Sequence, residues 1–152
     1  MDIGRRGFLR AGAVLALAAA GLLRPLRAFA QQWNKAAFDT RSVAATLKAL
    51  GASGSTESAQ IQITAPDIAE NGAVVPITIE SAVSRTQAIA ILIEKNPNTL
   101  SADFEIPEGT DPFITTRVKM AETSNIYAVV KADGKYFHAA KEIKVTLGGC
   151  GG

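Results

Sequence analysis

Two kinds of hydrophobic spacing divide the chain. Val43, Leu47 and Leu50 recur at the three-to-four-residue interval of a helix face, with Asp39 or Thr40 placed to cap its start and Gly51 to end it. Trp33, Ala37 and Phe38 predict a turn or short helix just before it. Residues 51–56 (Gly-Ala-Ser-Gly-Ser-Thr) read as a flexible link. From residue 60 the period drops to two. Residues 60–64 alternate as a short strand, and Glu70, Asn71 and Gly72 mark a turn, since Asn-Gly tolerates positive φ. Residues 74–81 predict a second strand, in which Pro76 lacks an N–H and belongs at an edge or bulge. Ile89, Ile91 and Ile93 alternate with Ala88, Ala90 and Leu92 in a strand buried on both faces, ended by Asn96, Pro97 and Asn98. Phe104 and Ile106 suggest a minor strand. Ile114, Thr116, Val118 and Met120 oppose Thr115, Arg117 and Lys119 in a clearer one. Residues 126–131 and 135–138 bracket Asp133-Gly134, a hairpin signal, and Ile143, Val145 and Leu147 alternate with Glu142, Lys144 and Thr146 in the last strand.

About seven strands with frequent turns and no helix between them predict a mainly β fold: an antiparallel β-sandwich, immunoglobulin-like in size, with a closed barrel as the alternative. The Cys…Trp…Cys hallmark of antibody domains is absent, so the expectation concerns architecture only. The chain shows no internal repeat. The expected organisation is a leader over 1–30, a helical segment and linker over 31–59, a sandwich over 60–147 and a carrier arm over 148–152.

The N-terminus changes how the charge is read. Arg5 and Arg6 precede Phe8 and Leu9; an Ala/Leu-rich run of 13 residues covers 11–23, and Ala28, Phe29 and Ala30 supply small residues two apart. That is the order of a removable secretory leader, and the run is shorter than the ~20 residues of a membrane span. The Arg5-Arg6 pair resembles the twin-arginine signal, whose route exports folded proteins, and Arg24 and Arg27 after the apolar run suit that route. A periplasmic mature protein is the expectation. The whole chain holds 16 Lys+Arg and 14 Asp+Glu, but the leader takes five bases and one acid, leaving 11 bases against 13 acids. No basic excess survives to neutralise phosphates, which excludes a nucleic-acid binder held by charge. The mature length fits one domain rather than a large multidomain enzyme, and one domain of this size needs no disulfide or metal to fold. Folded export accompanies an inserted cofactor or a pre-assembled partner. The sequence has no Gly-rich phosphate loop, no CxxC or CxxCH and no His/Cys/acid cluster at ligand spacing, so no cofactor is expected and the partner explanation is preferred.

The only cysteine, Cys150, lies between Gly148-Gly149 and Gly151-Gly152. It cannot form an internal disulfide, so the thiol of an exported protein stays free or joins another molecule. Four glycines present no side chain and favour no single backbone state, and from Val145 the chain to Cys150 extends at most ~17 Å. An unperturbed thiol titrates near ~8.5, no Lys, Arg or His lies within the arm, and the terminal carboxylate disfavours a second negative charge. Such a cysteine is an attachment point rather than a catalyst. Prenylation requires a cysteine one position earlier, lipoprotein cysteines sit at the leader cleavage site, and ubiquitin-like Gly-Gly chemistry is intracellular. His138 stands alone and reads as structural; Tyr127, Tyr136 and Phe137 read as core or interface; Glu105, Glu108 and Asp111 read as a solvated acidic loop.

With these features together, the sequence resembles the SoxY family, carrier subunits of the periplasmic Sox system that oxidises thiosulfate and related compounds. The resemblance rests on residues 65–76 (APDIAENGAVVP), 94–97 (EKNP), 116–120 (TRVKM) and the terminal GGCGG. It implies a heterodimer with SoxZ, a second small β-sandwich protein without its own export signal. It also implies that Cys150 carries the covalent link. SoxAX, a c-type cytochrome enzyme, would couple thiosulfate to the thiol; SoxB, a manganese hydrolase, would release sulfate; and SoxCD would oxidise the remaining sulfane sulfur. Read from the residues alone, a periplasmic interaction module whose Cys150 forms an intermolecular disulfide stays open, as does a thiol enzyme with a base near Cys150.

Overall fold

The computed structural model describes residues 34–147, all within the compact unit Asn34–Gly152; the other unit, Met1–Trp33, with Arg5, Arg6 and Trp33, lies outside the described residues. Among the described residues two short helices, α1 (Lys35–Phe38) and α2 (Val43–Ala49), precede nine strands. In chain order these are β1 (Thr56–Glu57), β2 (Ile61–Thr64), β3 (Ile68–Ala69), β4 (Val75–Ser81), β5 (Thr86–Ile93), β6 (Leu100–Glu105), β7 (Phe113–Val118), β8 (Ser124–Ala132) and β9 (Lys135–Val145). The larger sheet runs β1-β9-β8-β5-β6, with β3 also beside β9, and the smaller runs β2-β4-β7. The seven longer strands pair antiparallel throughout, as expected; only the two-residue strands β1 and β3 run parallel to β9.

The alternation explains why two sheets close on each other. Ile77 and Ile79 of β4, Ile89, Ile91 and Ile93 of β5, Ile126 and Val130 of β8 and Ile143 of β9 are buried in one cluster, with Met120 just past β7. Each such side chain contributes roughly 1.5–3 kcal/mol on burial. Strand β5 is buried on both faces, and the reason lies outside the sandwich. Its Ala90 and Leu92 join Leu100 and Val129 in a second cluster covered by Ala37, Phe38, Val43 and Leu47 of the helices. The helical segment therefore forms a partial third layer on the larger sheet.

Several local expectations are corrected, while Gly51 as a helix end, the Asp133-Gly134 hairpin and Pro76 at an edge hold. The cap of α2 is Ser42, which adopts extended φ −152° and accepts a hydrogen bond from the Ala45 N–H. Asp39 instead ends α1, whose own cap is Asn34. The 51–56 segment is no free link: Ala52 is fully buried, its N–H donates to the Leu47 carbonyl at 2.6 Å, and Thr56 already belongs to β1. Gly51 takes φ +75°, the left-handed value that closes a helix end. The 70–72 turn forms without positive φ at Asn71 or Gly72; the Asn71 side chain accepts the Ala73 N–H at 2.8 Å and builds the turn itself. The Asp133-Gly134 hairpin has φ +49° and +70°, the signature of a two-residue type I′ turn. The strands expected at 135–138 and 142–147 are one strand, β9, paired with β8 from Lys135 to Ile143 without interruption. Pro76 sits where β2, whose pairing stops at Thr78, no longer flanks β4, so the strand has β7 alone as neighbour there. Strand β6 is a full member of the larger sheet rather than a minor strand.

Candidate functional site

The chain leaves the sandwich through the end of β9, and that end is held from two sides. On one side, residues 65–72 form a strap. Ile68 and Ala69 pair in parallel with Lys144 and Val145. The Lys144 N–H donates to the Asp67 carbonyl at 3.0 Å and the Thr146 N–H to the Ala69 carbonyl at 3.1 Å. The Thr146 hydroxyl donates to the Glu70 carbonyl at 3.0 Å, and the Gly72 N–H donates to the Leu147 carbonyl at 2.7 Å. Gly72 in turn accepts the Met120 N–H at 2.7 Å, which ties the strap to the end of the smaller sheet. Lys141 adds a hydrogen bond to the Ala65 carbonyl at 2.7 Å and an ion pair with the exposed Asp67 at 3.0 Å. The hydrogen bonds set this geometry, because an exposed ion pair contributes only about 0–1 kcal/mol.

On the other side stands Thr123. The β8–β9 ladder ends at Ser124↔Ile143, and one step further the Thr123 hydroxyl replaces a backbone partner. It accepts the Val145 N–H at 2.9 Å and lies 3.4 Å from the Val145 carbonyl. The connection carrying Thr123 is itself pinned by Asn96, which accepts the Ala121 N–H at 2.9 Å and donates to the Lys119 carbonyl at 2.7 Å. Order therefore extends past the last strand residue to Leu147.

That shortens the arm. Two residues separate Leu147 from Cys150, so the Cys150 Cα lies at most ~10 Å from that of Leu147, against the ~17 Å counted from Val145. Cys150, Gly148, Gly149, Gly151 and Gly152 lie outside the described residues.

The remaining candidates take up structural positions. The His138 Nδ1 lies 3.0 Å from the Ser55 hydroxyl, joining the segment before β1 to β9. The Tyr136 hydroxyl donates to the Leu50 carbonyl at 2.8 Å, and Tyr136 and Tyr127 pack in the helix-covered cluster while Phe137 packs in the inter-sheet core. Partial burial, and secondarily the charge of Glu94, raise the Tyr127 phenol above its ordinary range, against a hydrogen bond from Asn125 that lowers it. Glu108 and Asp111 are exposed on either side of Gly109, as a solvated loop should be, whereas Glu105, also exposed, is the last residue of β6 rather than part of the loop. Among the described residues, no group of three or more His, Cys, Asp or Glu could hold a metal ion.

Sequence reasoning passed over the strap and Thr123. The strap lies within a stretch that carried the family resemblance and held an Asn-Gly turn signal, but the backbone groups that do the holding have no side-chain signature. Thr123 carried no signal at all.

The family "Sulfur oxidation protein SoxY" matches residues 46–150, a span that ends on Cys150. The solved sulfur carrier protein SoxY from Chlorobium limicola f thiosulfatophilum matches at 37% identity and TM-score 0.59, covering 66% of this chain and 93% of that one. An engineered protein solved by crystallography matches at 9% identity and TM-score 0.40, covering 59% of this chain and 21% of that one. No curated protein matches.

Proposed function

The chain belongs to the SoxY family of sulfur oxidation proteins, and we propose that it carries sulfur intermediates on Cys150 during thiosulfate oxidation in the periplasm. The observation that supports this reading is the family match running through the glycine-flanked cysteine, together with a fold that fixes the chain up to three residues before it.

The chemistry balances as follows. A new S–S bond joins the Cys150 sulfur to the sulfane sulfur of thiosulfate, with loss of one proton and two electrons to a c-type cytochrome enzyme of the SoxAX kind. Water then cleaves the S–sulfonate bond in a SoxB-type hydrolase, releasing sulfate and leaving a persulfide on the arm. A SoxCD-type enzyme, where present, oxidises the outer sulfur to a sulfonate, taking oxygen from three waters and removing six electrons and seven protons, and the hydrolase then releases it as sulfate with one more water, returning the Cys150 thiol. This chain supplies the sulfur atom and its delivery, and the enzymes supply the catalysis. SoxZ is the proposed heterodimer partner, and the twin-arginine pair Arg5-Arg6 the proposed export signal for the folded pair.

Intact-mass analysis of protein from thiosulfate-oxidising cells should find sulfur adducts on the terminal peptide, and Cys150→Ser should abolish thiosulfate oxidation. Unmodified Cys150 under turnover, or full oxidation by Cys150→Ser, would sink the reading. A reductant-sensitive covalent complex whose assembly needs Cys150 would instead favour the disulfide-linked module.

A further inference from the structure

Asn71 is the only asparagine in the chain followed by glycine; Asn34, Asn98 and Asn125 precede Lys35, Thr99 and Ile126, and Asn96 precedes Pro97. An asparagine side-chain amide can be attacked by the backbone nitrogen of the next residue, and glycine, which has no side chain, hinders that approach least. The strap acts on both reactants. Asn71 is exposed, and its Oδ1 accepts the Ala73 N–H at 2.8 Å. That donor polarises the amide carbonyl and stands at the distance from which a backbone N–H stabilises an oxyanion formed there. The nucleophile, by contrast, is masked. The Gly72 nitrogen is the one whose N–H donates to the Leu147 carbonyl at 2.7 Å, so its proton is committed for as long as Leu147 is held.

We propose that Asn71 and Gly72 form a self-modifying latch: when the Leu147 carbonyl lets go, the freed Gly72 nitrogen cyclises onto the Asn71 side chain, and the succinimide and isoaspartyl forms that result no longer hold Leu147. Solvent hydroxide takes the Gly72 proton, the nitrogen bonds to the Asn71 Cγ, the Cγ–Nδ2 bond breaks, and ammonia leaves. Water then opens the five-membered ring at either carbonyl, giving aspartate or isoaspartate, with no electron gained or lost. The ring has no N–H at residue 72 to offer Leu147. The isoaspartyl form routes the backbone through the side-chain carbons, which lengthens the turn, and adds a carboxylate next to Glu70.

Only residues 69–147 take part, so the chemistry does not depend on what Cys150 carries. One nitrogen is both the latch donor and the nucleophile, which makes holding and reacting mutually exclusive. The mask is adjustable from Thr146, whose hydroxyl donates to the Glu70 carbonyl and whose N–H donates to the Ala69 carbonyl, on the residue next to Leu147. The Gly72 carbonyl accepts the Met120 N–H at 2.7 Å, a bond that does not involve Leu147 and keeps the turn in place while the nitrogen is released.

The test incubates the full protein at neutral and at mildly alkaline pH. Peptide mass analysis reads the replacement of the Asn71 amide nitrogen by oxygen, and enzymatic methylation of isoaspartate identifies the rearranged form. Conversion should quicken as pH rises, as base-driven cyclisation requires, and should run at least tenfold slower in the folded protein than in the same protein in denaturant. Thr146→Val deletes one exposed hydrogen bond beside the mask, so folding should be unchanged; it should raise conversion in the folded protein about fivefold and leave the rate in denaturant as it was. Asn71→Gln, whose longer side chain would have to close a larger ring, should show no conversion. In converted protein, amide exchange at Thr146 should be at least about fivefold faster, with Ile91 at its parental rate. Equal rates in folded protein and in denaturant, or in parent and Thr146→Val, overturn the gating by Leu147. Conversion confined to denaturant overturns the site, and parental Thr146 exchange after conversion overturns the release.

Discussion

Thr123→Val removes one oxygen and keeps the shape of the side chain, which makes it a direct probe of how the end of β9 is held. The hydroxyl accepts the Val145 N–H at 2.9 Å, and its 3.4 Å approach to the Val145 carbonyl is too long to add much. The loss is therefore one hydrogen bond with a net value of about 0.5–1.5 kcal/mol, plus any desolvation left on the orphaned N–H. Both residues are only half-buried, so water can reach that N–H and the total should stay near 1 kcal/mol. For a domain of this size that is a fall in Tm of about 4 °C. The local consequence is sharper. Amide exchange at Val145, which loses its acceptor, should quicken at least about fivefold, the factor that 1 kcal/mol gives, and Ile91, deep in β5, by no more than that through the fall in global stability. Thermal unfolding measures the first effect and residue-resolved hydrogen exchange the second. A variant with parental Tm and parental exchange at Val145 would show that the strap alone fixes this end, and the two-sided clamp would be wrong.

Two further outcomes follow from the core and from charge. Ile91 is fully buried, in the inner face of a strand flanked by β6 and β8, so Ile91→Ala should cost about 3–4 kcal/mol in urea unfolding with an unchanged slope; a loss under about 1.5 kcal/mol would mean the sheets close over the space. Asp103 on β6 is held above its ordinary value of 3.8, first by partial burial and then by the charge of Glu105, with Lys131 acting the other way. The folded state thus holds this proton more tightly than the unfolded chain, and stability present below the ordinary value is lost as pH rises through the raised one. Asp103→Asn should therefore gain Tm over the parent at about pH 7 and none at about pH 3; equal differences at both would refute the assignment.

The sequence made the sandwich legible where side chains carry the information. Ile89, Ile91 and Ile93 against Ala90 and Leu92 announced a doubly buried strand, and Asp133-Gly134 announced its hairpin, because burial and positive φ each demand particular residue types. It failed where backbone carries the information. Ala139, Ala140, Lys141 and Glu142 show no alternation, yet they continue β9 because β8 offers an unbroken ladder to pair with. Strands β1 and β3 are two residues each, too short for any period, and exist because β9 has a free edge. The proposed attachment residue, Cys150, stood out most in the sequence, since a lone cysteine among four glycines is a compositional anomaly. Its anchorage was the hardest, being a set of carbonyls and one threonine hydroxyl.

Under the carrier reading proposed above, that anchorage would matter more for where the sulfur can go than for how often it arrives. Releasing Thr146 and Leu147 would lengthen the tether from three residues to five, and for a tether the local concentration of its tip falls roughly as the −3/2 power of length, about a twofold loss. Reach over the same change grows from ~10 Å to ~17 Å. A twofold change in encounter is small beside the difference between touching a buried catalytic centre and stopping several ångströms short of it. On that reading the strap acts as a ruler: by holding Thr146 and Leu147, three backbone groups, the Ala69 and Glu70 carbonyls and the Gly72 N–H, would set the depth of active site the chain can serve, and an enzyme with a deeper centre could be served only if they let go.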